Sequence, residues 1–502
     1  MLACVRTAAV YGIDACPIHV EVDVSFGLPS FAMVGLPDAG IRESRDRIRS
    51  AIRNSGFEFP PHRITVNLSP ADLRKEGASF DLPVAVGVLA ATGVITRRDI
   101  DDVLVVGALS LDGGIQPARG VLPIAASARR EGFPALLLPH ANRGEAAVVS
   151  GLRLFGVRAL PDAVAVLNSP STFVEPHDTV AAPIPGATPP VADFADVHGQ
   201  LLARRALEIA AAGGHNLLLA GPPGAGKTMM ARRVAGILPA LTFDEALEVT
   251  SIHSVAGLVA PGTGLVSMRP FRAPHHTVSD VAMVGGGAMP RPGEISLAHH
   301  GVLFLDEMPE FSRRVLEVLR QPLEEGIVRI ARAARTSSFP AAFMLIGAMN
   351  PCPCGYAGDP QRRCLCTPQQ TERYTSRLSG PLRDRLDLTV SVRALPPHEL
   401  QDDGAAEGTA AIRARVVAAR ERQLRRDEML NARLEGRHLR ARVRLDQRAR
   451  RLLETALTKL TLSARGFDRA LRVARTIADL SASESVAAEH LAEALQFRGE
   501  RE

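Results

Sequence analysis

Residues 221–228 read Gly-Pro-Pro-Gly-Ala-Gly-Lys-Thr and fit the pattern GxxxxGK[ST]. In that pattern the backbone N–H groups of a glycine-rich loop cradle phosphates. An apolar run at 217–220 precedes the loop, and a segment that favours a helix follows it at 229–234. The order strand, loop, helix separates a phosphate-binding loop from a chance match. It predicts a nucleoside triphosphate site on an α/β sheet.

A second segment, Gly-Val-Leu-Phe-Leu-Asp-Glu at 301–307, has the pattern of a buried strand that ends in two carboxylates. Asp306 is predicted to orient Mg²⁺ together with Thr228, and Glu307 to activate the attacking water. Lys227 is predicted to reach the β- and γ-phosphates. The two segments together indicate an enzyme that hydrolyses ATP with Mg²⁺.

The predicted nucleotide site contains the whole loop and one further polar residue. An apolar strand at 343–349 ends in Asn350, which either positions the attacking water or caps a strand without a catalytic role. Backbone amides of 224–228 are expected to wrap the phosphates at a helix N-terminus. The predicted phosphate-binding residues are Gly221, Pro222, Pro223, Gly224, Ala225, Gly226, Lys227 and Thr228.

Length and composition favour a globular protein with several domains. The chain has 502 residues, which is too many for a single core. Of these residues 46% are hydrophobic and 23% are charged. We find no signal peptide and no uninterrupted apolar run near 18 residues, so we expect a cytoplasmic protein without a membrane partner. The formal net charge of +5 is only weak support for a nucleic-acid partner.

Four regions are distinguishable along the chain. Residues 1–168 mix strand and helix patterns, with a strand expected at 18–24 and a helix at 39–54, and residues 169–195 are a proline-rich linker. Residues 196–395 alternate strands and helices, which predicts a parallel sheet. Residues 396–502 read as helices, and within 411–450 thirteen arginines stand against five acids. That excess is either a solvated helix face or a surface for nucleic acid or another subunit.

One long string identifies a family. Residues 269–277 read Arg-Pro-Phe-Arg-Ala-Pro-His-His-Thr, and the string continues through three glycines at 285–287 and Pro-Arg-Pro-Gly-Glu-Ile-Ser-Leu-Ala-His at 290–299. Nearly the whole chain resembles the magnesium-chelatase-like branch of the AAA+ ATPases, and within it the ComM/YifB family. The resemblance implies an AAA+ P-loop core at 196–395 with a helical lid of the magnesium-chelatase C-terminal type at 396–502.

The resemblance also assigns residues outside the phosphate loop. The segment with Val197, His198 and Gly199 resembles the one that encloses adenine in this family. Residues 380–387 resemble the arginine-finger segment, which makes Arg385 the finger donated to a neighbouring subunit. Arg469 resembles the second sensor, with Arg472 as the alternative. A finger that acts on a neighbour implies a homo-hexameric ring.

The N-terminal region resembles the Lon-protease-like α+β domain of the ribosomal S5 domain 2-like fold. This resemblance rests on residues 63–68 and 75–83, where Ser79 stands at the position of the nucleophilic serine. Gln116 stands where the partner lysine is expected, and an amide cannot deprotonate a serine. We therefore predict a non-proteolytic domain that serves in assembly or substrate contact.

Four cysteines are arranged as C-x-C-x9-C-x-C: Cys352, Cys354, Cys364 and Cys366. Four thiolates can form a closed tetrahedral Zn²⁺ site. The alternatives are redox-labile thiols and loop cysteines without a ligand.

Three functions use the same motor. The resemblance implies a DNA translocase, that is, a helicase or branch-migration factor in recombination and natural transformation. A magnesium-chelatase motor for metal insertion is the alternative, and an ATP-dependent protease is disfavoured by Gln116. Residues 327–335 begin with an alternation of apolar and polar residues of period two and end with closely spaced arginines, a pattern that predicts a basic hairpin. Related rings aim such a hairpin at the central pore, so Arg332 and Arg335 are the predicted DNA contacts; a packed surface hairpin is the alternative.

Overall fold

The computed structural model describes residues 1–35, 39–71, 75, 77–97, 100–171, 192–287, 290–331, 336–359, 362–396, 399, 407–459 and 463–498. Most of the predicted proline-rich linker and both predicted DNA contacts, Arg332 and Arg335, lie outside these residues.

The N-terminal region contains a seven-stranded mixed sheet with the order β3-β4-β2-β1-β5-β8-β9 and a small ribbon of β6 with β7. Apolar side chains of β2, such as Ile18, Val20 and Val22, are buried and alternate with more exposed residues, as expected for one covered sheet face. The predicted strand at 18–24 is confirmed within β2. The strands are β1 Leu2–Tyr11, β2 Asp14–Ser25, β3 Ser30–Val34, β4 Arg63–Ser69, β5 Val103–Val105, β6 Ala108–Leu109, β7 Ile115–Gln116, β8 Ala135–Pro139 and β9 Arg153–Val157.

Helices cover this mixed sheet. Asp81–Ala91 is apolar on all sides and almost wholly buried, which is the pattern of a helix within a core rather than at a surface. The predicted helix at 39–54 is confirmed as Ala39–Asn54. The other helices here are Val121–Arg130, Arg143–Ala146 and Leu160–Asn168.

A five-stranded sheet carries the phosphate loop. Its order is β11-β14-β17-β10-β18 and every neighbouring pair is parallel, which confirms the predicted parallel sheet. Every residue of β14 and β17 is buried, as expected when helices cover both faces. The strands are β10 Leu217–Ala220, β11 Phe271–Arg272, β14 Val302–Leu305, β17 Met344–Met349 and β18 Leu388–Ser391.

Helices and two small ribbons surround that sheet. One ribbon pairs β12 Gly285–Gly286 with β13 Arg291–Pro292, and the other is an antiparallel hairpin of β15 Ile327–Ala331 with β16 Thr336–Pro340. The helices are Leu201–Gly213, Lys227–Ile237, Phe243–Ala256, Asp280–Val284, Glu294–Leu297, Arg313–Val318, Arg320–Glu325, Pro368–Thr375 and Gly380–Arg383.

The C-terminal residues that the structure describes are helical: Thr409–Asp427, Gly436–Arg442, Gln447–Lys459, Ala464–Leu480 and Ala488–Gln496. Several arginines of the basic stretch bind within the fold. Arg415 contacts Glu208 at 2.5 Å, Arg426 contacts Asp479 at 2.7 Å, and Arg420 Nε donates to the carbonyl oxygen of Ala211 at 2.8 Å. Part of the arginine excess therefore joins helices, whereas Arg437 and Arg440, for example, remain exposed.

The N-terminal region packs directly on the region with the phosphate loop. Gly120 N donates to Ser254 O at 3.1 Å, and Gly262 N donates to Ala141 O at 3.0 Å. Ser254 Oγ donates to the buried carboxylate of Glu145, which also accepts the backbone N–H of Leu122 at 2.8 Å. One buried carboxylate thus bonds to both regions.

Within the described parts of the chain, no helix combines the length and the apolar character needed to span a bilayer.

Candidate nucleotide site

The phosphate loop connects the buried strand β10 to the helix Lys227–Ile237. Gly224 and Gly226 have φ of 77° and 87°, a backbone conformation that favours glycine. Gly221 lies so close to β18 that an added Cβ would stand 2.1 Å from the carbonyl oxygen of Val392. The motif's glycines therefore serve both the loop conformation and its close packing on the sheet.

Lys227 lies at the centre of this site and is buried. Its ammonium donates to Gly221 O at 2.6 Å, Pro222 O at 2.9 Å and Asn350 Oδ1 at 3.1 Å. Burial lowers the pKa of Lys227, while the nearby carboxylates Asp306 and Glu307 oppose the shift. The contact with Asn350 joins two residues that are 123 positions apart in the chain.

The two carboxylates lie at the carboxyl end of β14. Thr228 Oγ1 donates to Asp306 Oδ2 at 2.5 Å, so the two predicted Mg²⁺ ligands are adjacent. Glu307 has φ of 50° and its side chain is half exposed, and its own backbone N–H donates to Asp306 Oδ1 at 2.9 Å. Hydroxyl and carboxylate oxygens suit Mg²⁺, and a partly exposed carboxylate at this edge suits a base that activates water.

His276 is a neighbour of Glu307 that the sequence reasoning did not assign to this site. Its Nδ1 lies 3.9 Å from Glu307 Oε2, and its ring meets Phe311 edge-on at 6.4 Å. His276 belongs to the family string at 269–277, but that string alone does not predict which strand end the side chain faces.

The predicted adenine segment lies beside the same loop. Gln200, directly after Gly199, donates from Nε2 to Ala225 O at 3.4 Å and to Arg393 O at 2.7 Å. Gly199 has φ of 57°. Val197 is buried and His198 is half-buried. The contact of Gln200 with Ala225 therefore joins this segment to the phosphate loop.

Arg385 and Arg469 contact other parts of the chain. Arg385 forms an ion pair with Glu324 and donates to Pro381 O. Arg469 Nη1 donates to Leu386 O at 2.8 Å, and its Nη2 lies 3.6 Å from Asp384. The second-sensor candidate thus contacts the predicted finger segment of its own chain.

Arg472, the alternative second sensor, belongs to a buried ionic group. Its Nη2 lies 3.2 Å from Asp387, which also bonds to His215 Nδ1 at 3.0 Å. Burial by itself would raise the pKa of Asp387, but the hydrogen bond from His215 and the charges of Arg472 and Arg469 bring it below its usual value.

The four cysteine sulfurs lie together. The Sγ atoms of Cys352 and Cys354 are 3.3 Å apart, those of Cys352 and Cys364 3.6 Å, and those of Cys354 and Cys364 3.5 Å. Cys366 completes the group, and all four sulfurs lie within 4.8 Å of one another.

A second group of side chains that can bind metals, Glu248, His299 and His300, was missed because Glu248 is 51 positions from His299 in the chain. His299 Nδ1 accepts the backbone N–H of Ala342 at 2.9 Å, so in the neutral ring Nε2 carries the proton and donates to Glu248 at 2.8 Å. Burial lowers the pKa of His299 to about 4. Both ring nitrogens are occupied, so we assign a hydrogen-bonded cluster rather than a metal site.

In the N-terminal region, Ser79 lies in a short 3₁₀ helix, Ala78–Phe80, and Gln116 lies in β7. Gln116 Nε2 donates weakly to Ser110 Oγ at 3.5 Å.

Comparison with known proteins agrees with this architecture. The profile for magnesium chelatase, subunit ChlI, matches residues 193–400; the profile for subunit ChlI of Mg-chelatase matches 20–142; and that for the ChlI C-terminal part matches 406–498. YifB of Salmonella typhimurium is 47% identical over 499 residues, covering 99% of this chain and 97% of its own. The competence protein ComM of Haemophilus influenzae is 44% identical over 504 residues, with the same coverage.

The chain belongs to the ComM/YifB family of magnesium-chelatase-like proteins. A partial similarity extends to the Lon protease of Chloroflexus aurantiacus, which is 30% identical over 133 residues, or 25% of this chain and 16% of that protein. The family suggests an ATPase that uses ATP and Mg²⁺, in agreement with the geometry around Lys227, Thr228 and Asp306.

Proposed function

We propose that this chain is a ring-forming ATPase that couples ATP hydrolysis to DNA translocation, as a helicase or branch-migration factor in recombination and natural transformation. The observation that carries the proposal is the joined cluster in which Lys227 contacts Asn350 and Thr228 contacts Asp306. These contacts support the roles proposed for Lys227 as the phosphate-binding cation, for Thr228 and Asp306 as Mg²⁺ ligands and for Asn350 as the water-positioning amide. The name of the Haemophilus relative, a competence protein, supports the DNA process.

In this proposal six copies form a ring and each active site is completed by its neighbour. Arg385 pairs with Glu324 rather than with the phosphate loop of its own chain, which suits a residue donated to the next subunit. A fixed guanidinium there would stabilise charge on the transferring phosphoryl group. The helices of 407–498 would act as the lid, with Arg469 sensing the nucleotide.

The hairpin of β15 and β16 is the proposed DNA contact. Val328 and Ile330 pack into the core while Arg329 points outward, with a side chain that is 52% exposed and paired with Glu325. The hairpin is therefore anchored on its apolar face, and the opposite face carries Arg329. In the sequence, Arg332 directly follows β15 and Arg335 directly precedes β16, so both predicted DNA contacts belong to the segment that joins these strands.

The decisive experiment measures ATP hydrolysis with single-stranded, duplex and branched DNA, and with an unfolded protein as control. We expect DNA to stimulate hydrolysis. Changing both Arg332 and Arg335 to Ala should weaken DNA binding, spare basal hydrolysis and flatten the log–log salt dependence by about one unit for each phosphate that is no longer neutralised. Arg130→Ala removes an exposed arginine from the N-terminal region and should change none of these. Unchanged DNA affinity in the double variant would refute the hairpin assignment.

The alternative function, a magnesium-chelatase-like motor for metal insertion, is favoured by one observation: all three matched profiles bear the name of a chelatase subunit. ATP hydrolysis by a chelatase motor is not expected to respond to DNA. Failure of every DNA form to stimulate the wild type would favour this alternative.

Two further assignments belong to the proposal. The N-terminal region would be non-proteolytic, because no base of suitable chemistry stands at the position of Gln116. The four cysteines would hold one Zn²⁺ ion.

A further inference from the structure

The four-cysteine loop lies between two parts of the nucleotide site. It begins two residues after Asn350, whose side chain accepts a hydrogen bond from Lys227. It ends at Cys366, directly before Thr367, which caps the helix Pro368–Thr375 with a reciprocal capping box. Any interaction that holds the four sulfurs in place therefore also constrains the positions of the end of β17 and the start of that helix.

The spacing of the sulfurs matches a tetrahedral metal ion. Four Zn–S bonds of about 2.3 Å separate neighbouring sulfurs by about 3.8 Å, whereas a disulfide brings two of them to about 2.05 Å. The pairs formed by Cys352, Cys354 and Cys364, at 3.3, 3.5 and 3.6 Å, are near the first value and far from the second. Four sulfur ligands with this geometry favour Zn²⁺ among the metals that are common in proteins.

Backbone N–H groups point at the sulfurs. Ala357 N donates to Cys352 Sγ at 3.3 Å, and Cys366 N donates to Cys364 Sγ at 3.4 Å. Four thiolates around one Zn²⁺ carry a net negative charge, and such donors stabilise it and orient the ligands.

The same loop presses on the phosphate loop. Gly355 has φ of 87°, and a Cβ added to it would lie 2.6 Å from Cδ and 3.2 Å from Cγ of Pro223. The backbone of Gly355 is thus in close contact with the second proline of the phosphate loop. Its N–H also donates to Cys352 O at 3.0 Å, which closes the turn between the first two cysteines.

We infer that Zn²⁺ bound by Cys352, Cys354, Cys364 and Cys366 holds Gly355 against Pro223, so that metal occupancy sets the affinity of the phosphate loop for nucleotide. This inference rests on the proposed ATP site but not on DNA as the substrate. The metal acts as a positioning element: it touches no nucleotide, and its loss lets Gly355 withdraw from Pro223.

The first test measures zinc content and nucleotide affinity together. Wild-type protein should hold about one Zn²⁺ per chain, and Co²⁺ in its place should give thiolate charge-transfer absorption. Changing both Cys352 and Cys364 to Ser should abolish the metal and weaken binding of a fluorescent ADP analogue by about tenfold, which corresponds to the loss of about one hydrogen bond to a charged phosphate. Cys4→Ser and Cys16→Ser change the two cysteines of the N-terminal sheet and should leave both readouts unchanged.

The second test separates the contact from the folding of the loop. Gly355→Ala inserts a methyl group against Pro223 and should keep the zinc while weakening nucleotide binding. Gly358→Ala is the matched control, because Gly358 also has positive φ, 75°, but an added Cβ meets nothing within 4 Å. Both variants carry similar backbone strain, so only the first should change nucleotide affinity.

Two results would overturn the inference: wild-type protein that takes up no Zn²⁺ from a zinc-containing buffer, or equal nucleotide affinity for Gly355→Ala and Gly358→Ala. These readouts use no DNA. A protein that ignores DNA but loses nucleotide affinity with its zinc would therefore contradict the translocase proposal alone.

Discussion

Replacing Lys227 tests the nucleotide site most directly. In this structure its buried ammonium makes three hydrogen bonds, to Gly221 O, Pro222 O and Asn350 Oδ1. In the ATP complex we expect it to exchange some of these for bonds to the β- and γ-phosphates. A hydrogen bond to a charged group is worth about 1.5–3 kcal/mol, and two of them about 3–6 kcal/mol. Because the existing contacts must be given up, we take the lower end, about 3 kcal/mol, or about a hundredfold in affinity.

Lys227→Ala should therefore raise the Kd of a fluorescent ATP analogue by about a hundredfold and abolish hydrolysis. Titration by fluorescence, with hydrolysis followed separately, gives both values. Arg232→Ala is the matched control, because Arg232 lies on the same helix, is exposed and carries the same charge. Binding by Lys227→Ala within threefold of the Arg232 variant would refute the placement of Lys227 at the phosphates.

Three further predictions concern hydrolysis, the ring and pH. Glu307→Gln should bind ATP normally but turn it over very slowly in a phosphate-release assay, and near-normal turnover would remove Glu307 from the mechanism. Arg385→Ala should keep ATP affinity and lose turnover, and mixing it with Lys227→Ala subunits should restore part of the rate, whereas a fully active monomer would contradict the trans finger. The pKa of His299 is lowered from 6.5 to about 4 in the fold, so the unfolded chain binds more protons between these values. The free energy of unfolding should rise by up to about 3 kcal/mol from pH 4 to 6.5, and His299→Asn should reduce that slope in denaturant titrations, whereas an unchanged slope would exclude His299 as its source.

The sequence was most informative where the chemistry is local. Lys227 and Thr228 are adjacent in one motif, and Asp306 follows a strand that reads as buried, so their meeting at the edge of a parallel sheet could be foreseen. The contact of Gly355 with Pro223 could not be foreseen, because the two residues are 132 positions apart in the chain and belong to no common sequence pattern. The same holds for Glu248 with His299, and for Arg415 and Arg426, whose partners depend on how helices pack. A charge excess along a chain does not reveal which cations are paired within the fold.

The buried carboxylate of Glu145 bears on how this protein can be dissected. It accepts from Leu122 on one side and Ser254 on the other, and the helix Val121–Arg130 lies along the helix Phe243–Ala256. A truncated ATPase that lacks the first 168 residues would expose that second helix, and the isolated N-terminal piece would leave Glu145 without one of its donors. The N-terminal region and the region with the phosphate loop therefore share a buried interface. Expression and crystallisation should keep both regions in one chain.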